Sequence, residues 1–225
     1  MNERMKGVWW KLLAVALVVY TIIAGFTVEV PALAILHETI RNLFFHVTMW
    51  FGMMILMLVS VVYSIKFLSA SEESNDIVAS EAAHVGMLFG SMGLATGMVW
   101  AYFTWGDWWV SDPKLNGAAV TMLVYLAYFI LRGSMDDPMK RAKVSAVYNI
   151  FAFVLLIVFL KILPDMTDSL HPGNGGNPGF NTYDTTPNLK MVFYPAIIGW
   201  TLIGVWIVSL RVRLKTLAIN KMEQQ

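Results

Sequence analysis

Leu43-Phe-Phe-His-Val-Thr-Met-Trp-Phe-Gly-Met-Met-Ile-Leu-Met-Leu-Val-Ser-Val-Val-Tyr-Ser-Ile65 runs without a single Lys, Arg, Asp or Glu. About 20 mostly apolar residues in helical conformation cross the hydrocarbon core of a bilayer. This run is long enough, and it is not alone. Working outward by the same rule, candidate spans fall at about 8–28, 43–67, 82–102, 117–131, 144–163 and 191–210. The fourth has the shortest apolar core. The reading is an all-α integral membrane protein: a six-transmembrane-helix bundle forming a single membrane domain over residues 1–225.

Composition agrees. The 225 residues are 57% hydrophobic and 14% charged, with a mean hydropathy of +0.61, whereas soluble domains carry about 25% charged residues. A net charge of +1 gives no basic surface for nucleic acid. The absence of cysteine excludes disulfides, thiolate metal sites and thiol catalysis. The first span, with a basic start at Arg4, Lys6 and Lys11 and small residues near Ala34, has features of a secretory signal. Its length and the spans after it favour a retained anchor.

Lys and Arg concentrate in cytoplasmic loops. With six spans the termini share a side, and twelve of the sixteen Lys and Arg fall there, among them Lys66, Arg132, Arg141 and Arg211. Only Arg41, Lys114, Lys161 and Lys190 fall on the other. Both termini are therefore expected in the cytoplasm. Three outer segments follow, at 29–42, 103–116 and 164–190, with short polar inner loops at 68–81 and 133–143. The last outer segment is rich in Pro and Gly and can hold little regular structure.

Four histidines are distributed unevenly: His37 in the first outer segment, His46 just inside the second span, His84 at the inner end of the third, and His171 in the last outer segment. At 1.5 Å rise per residue, His46 sits about 6–8 Å below Arg41. Ionisable groups within spans are costly and point to function, although a neutral histidine bonded to a neighbouring helix is the ordinary alternative. Trp105-Gly-Asp-Trp-Trp109 sets three Trp beside Asp107 and Asp112. Interfacial anchoring explains one or two Trp. A cluster of three also suits a flat apolar ligand with a charged edge, such as a porphyrin whose iron takes a histidine pair.

Trp105-Gly-Asp-Trp-Trp-Val-Ser-Asp112, followed by Pro-Lys-Leu-Asn116, resembles the tryptophan-rich "WWD" signature of the haem-handling superfamily that includes CcmC and the CcsA-type cytochrome c synthases. Arg41-Asn-Leu-Phe-Phe-His46-Val and Ser169-Leu-His171-Pro-Gly173 resemble two further CcmC segments, in the same order, so the resemblance covers almost the whole chain. It implies His46 and His171 as axial ligands to the iron of haem b. It also implies Trp105, Trp108 and Trp109 as the platform, with Asp112 closing the motif. Arg41, Lys114 or Lys190 would meet the propionates, and Asp168 would orient His171. Ser111, Lys114 and Asn116 depart from the family's usual Trp, Arg and Thr or Ser, and a Lys offers a point charge without the Arg fork.

The function so implied is receipt of haem at the periplasmic face of a bacterial inner membrane and its delivery to a periplasmic haem chaperone for c-type cytochrome biogenesis. The implied partners are that chaperone (CcmE-like), ABC-type complex subunits (CcmA-, CcmB- and CcmD-like) and membrane lipid. The sequence contains no Walker-type loop, so ATP use falls to another chain, and the protein is not expected to be an enzyme in its own right. The rival classes are a membrane cytochrome b-type electron-transfer subunit, which would place paired ligands within spans, and a polytopic solute transporter, which would show polar or broken helices near the midplane.

Overall fold

A computed structural model describes residues 7–31, 36–171 and 186–222. The basic start at 1–6, the small residues at 32–35 and the Pro/Gly-rich stretch 172–185 lie outside the described residues. Six helices are long and apolar enough to cross a membrane, and no strand occurs among the described residues. They are α1 (Trp9–Thr27), α2 (Val47–Ala70), α3 (Glu73–Trp105), α4 (Pro113–Gly133), α5 (Pro138–Ile157) and α6 (Pro187–Met222). A 3-10 helix, His37–Phe44, leads into α2, and α5 continues through a π-helical segment, Val158–Ile162, into a last turn at Leu163–Asp165.

The antiparallel pair α2–α3 is the spine of the bundle. Met57, Met53 and Trp50 of α2, with His46 at its N-cap, sit against Gly86, Gly90, Gly93 and Gly97 of α3. Both rows step by four, three and four residues, the spacing of one helix face. The close approach is required: a Cβ on Gly90 would stand 2.6 Å from the sulfurs of both Met53 and Met122. Without a hydrophobic driving force in lipid, small residues let helices approach closely enough for van der Waals contact to hold them. Around this pair, α5 and α6 pack on α2, α4 packs on α5 and α3, and α1 lies at the edge against α6.

The helices outrun the apolar spans. The segment 68–81, expected as an inner loop, is helical except at Ser71 and Glu72. Ser71 turns the chain in the left-handed region (φ 55°) and its N–H donates to the carbonyl of Phe67 at 2.7 Å. Glu73 and Asp76 then occupy the first turn of α3, where acidic groups complement the helix dipole. The short fourth span becomes a 21-residue helix, because Asp112 caps it and Pro113 starts it. Asp137 and Pro138 start α5 in the same way. Asp at the cap and Pro at the first helical position are both strong start signals.

The π segment precedes Pro164, which is buried at the helix end. Proline has no N–H to give to the carbonyl four residues back, and wider turns are one way a helix absorbs this. The segment comes hard against α4: a Cβ on Gly117 would meet the Phe159 carbonyl oxygen at 2.2 Å.

Candidate functional site

At the Trp-rich end the bundle encloses a cavity of about 480 Å³, with mostly apolar walls from α2, α3, α4 and the α5 extension. Ligand pockets fall in the range of about 300–1,000 Å³. His46 and His171 both line it, and both are buried. The Trp100 ring touches each imidazole, with centroids 6.1 Å from His46 and 5.4 Å from His171. Its indole N–H donates to Thr39 Oγ1 at 3.2 Å, which fixes the ring to the 3-10 helix.

The setting of His46 comes from α3. Its Nδ1 donates to the Gly93 carbonyl at 2.8 Å, with Thr96 Oγ1 at 3.3 Å. A carbonyl only accepts, so the proton resides on Nδ1 and the lone pair on Nε2. Gly97 makes room for the ring, since a Cβ there would lie 2.6 Å from His46 Cε1. The anchor and the space for it come from one face of one helix, a turn apart.

The setting of His171 comes from Asp112. Its Nδ1 lies 2.9 Å from Asp112 Oδ1, a close contact whose N–H direction departs from a linear hydrogen bond. The other carboxylate oxygen accepts from Ser169 Oγ at 2.8 Å and from the Leu170 N–H at 2.7 Å. Oδ1 also accepts the Lys114 N–H at 2.9 Å as the cap of α4. Burial by itself would raise the Asp112 pKa. The hydrogen bonds and charge of His171, with Ser169 and Leu170, outweigh it and hold the carboxyl well below the ordinary carboxylate range.

Both histidines therefore present Nδ1 to a protein acceptor, a carbonyl for one and a carboxylate for the other. Iron- and zinc-binding histidines are held this way, the second ring nitrogen fixing the tautomer and the orientation of the first. An imidazole pair beside an aromatic wall in an apolar chamber fits the donor set and shape that a haem requires.

The sequence-derived site residues divide into two groups. His46, His171, Trp105, Asp112 and Lys114 come together: Trp105 packs on His171 at 4.8 Å and on Trp100 at 5.1 Å, and Lys114 lines the cavity. Trp108, Trp109 and Arg41 do not line it. Trp108 stacks on Tyr102 at 4.7 Å and is 49% exposed, and Trp109 is also exposed. Arg41 donates to the Gly25 and Val28 carbonyls at 3.0 and 2.7 Å and to Glu38 at 2.6 Å, closing the end of α1. Asp168 is exposed, and the carboxylate at His171 is that of Asp112, which stands 59 positions before that histidine in the chain. His37 is exposed and begins the 3-10 helix at φ 41°. His84 stands at the opposite end, donating from Nδ1 to the Ser80 carbonyl and packed on Phe129.

Trp100 and Lys161 are lining residues that the motif reading passed over. The spacing of Trp100 from Gly93 and Gly97, all on one face of α3, carries the signal for the former. No local signal marks Lys161.

A family model described as "Heme exporter protein C" matches residues 2–225. Among curated proteins, Heme exporter protein C of Bradyrhizobium diazoefficiens is 29% identical over 134 residues, covering 59% of this chain and 50% of that protein. The protein of the same name from Paracoccus denitrificans is 27% identical over 135 residues, 60% of this chain and 56% of its own length. The cytochrome c biogenesis protein CcsA of Prochlorococcus marinus is 34% identical over 91 residues, 40% of this chain and 29% of that protein. The chain spans about half the length of the first two of these relatives and less of the third. With six membrane-length helices and a family match running from residue 2 to residue 225, this chain belongs to the CcmC, or heme exporter protein C, family.

Proposed function

We propose that this chain holds haem b at its Trp-rich end, through His46 and His171, and passes it to a periplasmic haem chaperone in c-type cytochrome biogenesis. The observation that carries the reading is the matched anchoring of the two imidazoles, Nδ1 of one to Gly93 and Nδ1 of the other against Asp112, in the wall of a single cavity. Each residue then has a task. Gly93 and Asp112 hold the protons that leave Nε2 of each histidine as the donor. Trp100 supplies an aromatic wall, with Trp105 packed on it and on His171, and Lys114 offers charge to a propionate.

The exposed rings of Trp108 and Trp109 stand outside the cavity and give the chaperone an aromatic surface beside it. His171 immediately precedes the Pro/Gly-rich stretch, so delivery requires its withdrawal from Asp112 on that side alone, while His46 stays on its helix. The chain acts as a single membrane domain in a bacterial inner membrane, in contact with lipid, with both termini cytoplasmic by the Lys and Arg bias. It is a carrier and not an enzyme, and ABC-type subunits supply the ATP-driven step.

The test is the absorption spectrum of the purified protein, oxidised and reduced, beside His46→Ala, His171→Ala and His37→Ala. A low-spin b-type spectrum weakened by the first two substitutions and untouched by the third is the expected result. Identical spectra in all four proteins would remove the ligand assignment.

A further inference from the structure

Among the described residues, the cavity's Lys and Arg lining consists of Lys114 on α4 and Lys161 on the π segment. Asp165, also lining, is the ion-pair partner of Lys161. Asp112, Asp165 and Lys161 all lie within electrostatic reach of Lys114. Asp112 is committed to His171 and to the loop behind it, so the acid left to the two lysines at the cavity is Asp165, one turn after Lys161. The Lys161 and Asp165 side chains are 69% and 43% exposed, which makes their pair cheap to open, since exposed pairs contribute about 0–1 kcal/mol. Lys161 lines this wall from within the wide turns ahead of Pro164, and Gly117 permits the segment's approach to α4.

A mostly apolar chamber with two lysines on one wall, one of them held by an exchangeable carboxylate, is built for a ligand that is apolar in its body and carboxylate at its edge. Resting on the haem reading above, we propose that Lys161 determines specificity for the carboxylate edge of the cargo, exchanging Asp165 for a propionate when haem enters. Asp165 is the placeholder that keeps the ammonium paired and turned to the mouth beforehand. Lys161 thus selects carboxylate-bearing porphyrins, and neither imidazole can make that distinction.

The test titrates the purified full chain in detergent with haem and with haem dimethyl ester, whose carboxylates are masked, followed by absorbance. Lys161→Ala should weaken haem binding about two- to fivefold, the scale of an exposed charge pair, and leave the ester unchanged. Lys161→Arg should bind haem as the parent does. Asp165→Asn, which removes the competing carboxylate, should bind haem at least as tightly. Equal weakening of haem and ester in Lys161→Ala would show that the side chain only shapes the cavity and would overturn the proposal, as would unaltered haem binding. Weaker haem binding in Asp165→Asn would overturn the exchange. If the parent protein binds neither ligand, the haem reading itself fails, and this inference with it.

Discussion

Asp112 divides its oxygens between two tasks, capping α4 through Lys114 N–H and tying down Ser169, Leu170 and His171. Its depressed pKa states how strongly the ionised form is held. A carboxyl held below its unfolded value of about 3.9 contributes stability fully above that pH, and loses it only as pH falls towards the folded value. Asp112 should therefore stay ionised, with its carboxylate available to the Leu170 amide, from pH 8 down to about 5. Asp112→Asn keeps a good helix cap but removes the charge. The Leu170 amide should then lose about tenfold or more in hydrogen-exchange protection, the scale of a hydrogen bond to a charged group, across that whole range. Equal protection in the two proteins would mean that the loop is held by something other than the carboxylate. Gly97→Ala tests the other imidazole. Its Cβ would drive into a buried ring, and overpacking of this kind costs about 1–3 kcal/mol. The expected outcome is a changed haem spectrum and earlier unfolding, whereas Gly133→Ala, with open space around it, should leave the spectrum alone. His46 and His171 were legible as single residues because a histidine at a membrane edge is costly and a histidine in a known motif is conspicuous. The pairing of His171 with Asp112 was not, because it joins two outer segments through the fold and leaves no local pattern.

The elements were legible where hydropathy is the controlling force and illegible where water takes over. Apolar runs located all six helices. Their ends were missed by as many as nine residues at the start of α3 and twelve at the end of α6, because a helix leaving the bilayer turns polar without ending. The Asp-Pro pairs were the available start signals, and they depend on capping chemistry that an apolar count ignores. Inside the bundle the neutral polar residues do a different job. Asn149 of α5 donates to Ser60 Oγ at 2.7 Å and to Ser64 Oγ at 2.9 Å on α2, and Ser60 donates in turn to the Ala79 carbonyl of α3 at 2.6 Å. Three helices are joined in a buried relay, which gives these polar groups a packing role. Interhelical hydrogen bonds in membranes contribute about 0.6 kcal/mol each, and up to about 1.7. Asn149→Leu should thus lower unfolding stability in a detergent–denaturant titration by about 1 kcal/mol with little effect on the haem spectrum. No loss at all would mean that the serines turn back to carbonyls of their own helix.

On the scale of the whole molecule the two ends are built differently. The end opposite the cavity is locked by charge: Arg132 of α4 pairs bidentately with Asp76 of α3 at 2.8 and 2.5 Å, and Arg211 of α6 pairs with Glu81 of α3 at 2.6 Å. The Arg132–Asp76 pair is largely buried, and losing one of its partners would leave an uncompensated charge, so this end resists opening. The other end carries the cavity, the exposed aromatics and an exchangeable ion pair. Such a division serves a carrier only if the open end faces the compartment that receives the cargo. The Lys and Arg bias predicts the periplasm for that end, and the absence of cysteine makes the prediction testable without background. Ser71, in the turn between α2 and α3, and Ser111, beside the helix-capping Asp112, are both exposed and lie at opposite ends. In intact cells opened only at the outer membrane, a membrane-impermeant maleimide should label Ser111→Cys and leave Ser71→Cys untouched until the inner membrane is permeabilised. The reverse pattern would turn His46 and His171 towards the cytoplasm, and delivery to a periplasmic chaperone would no longer follow from the same site.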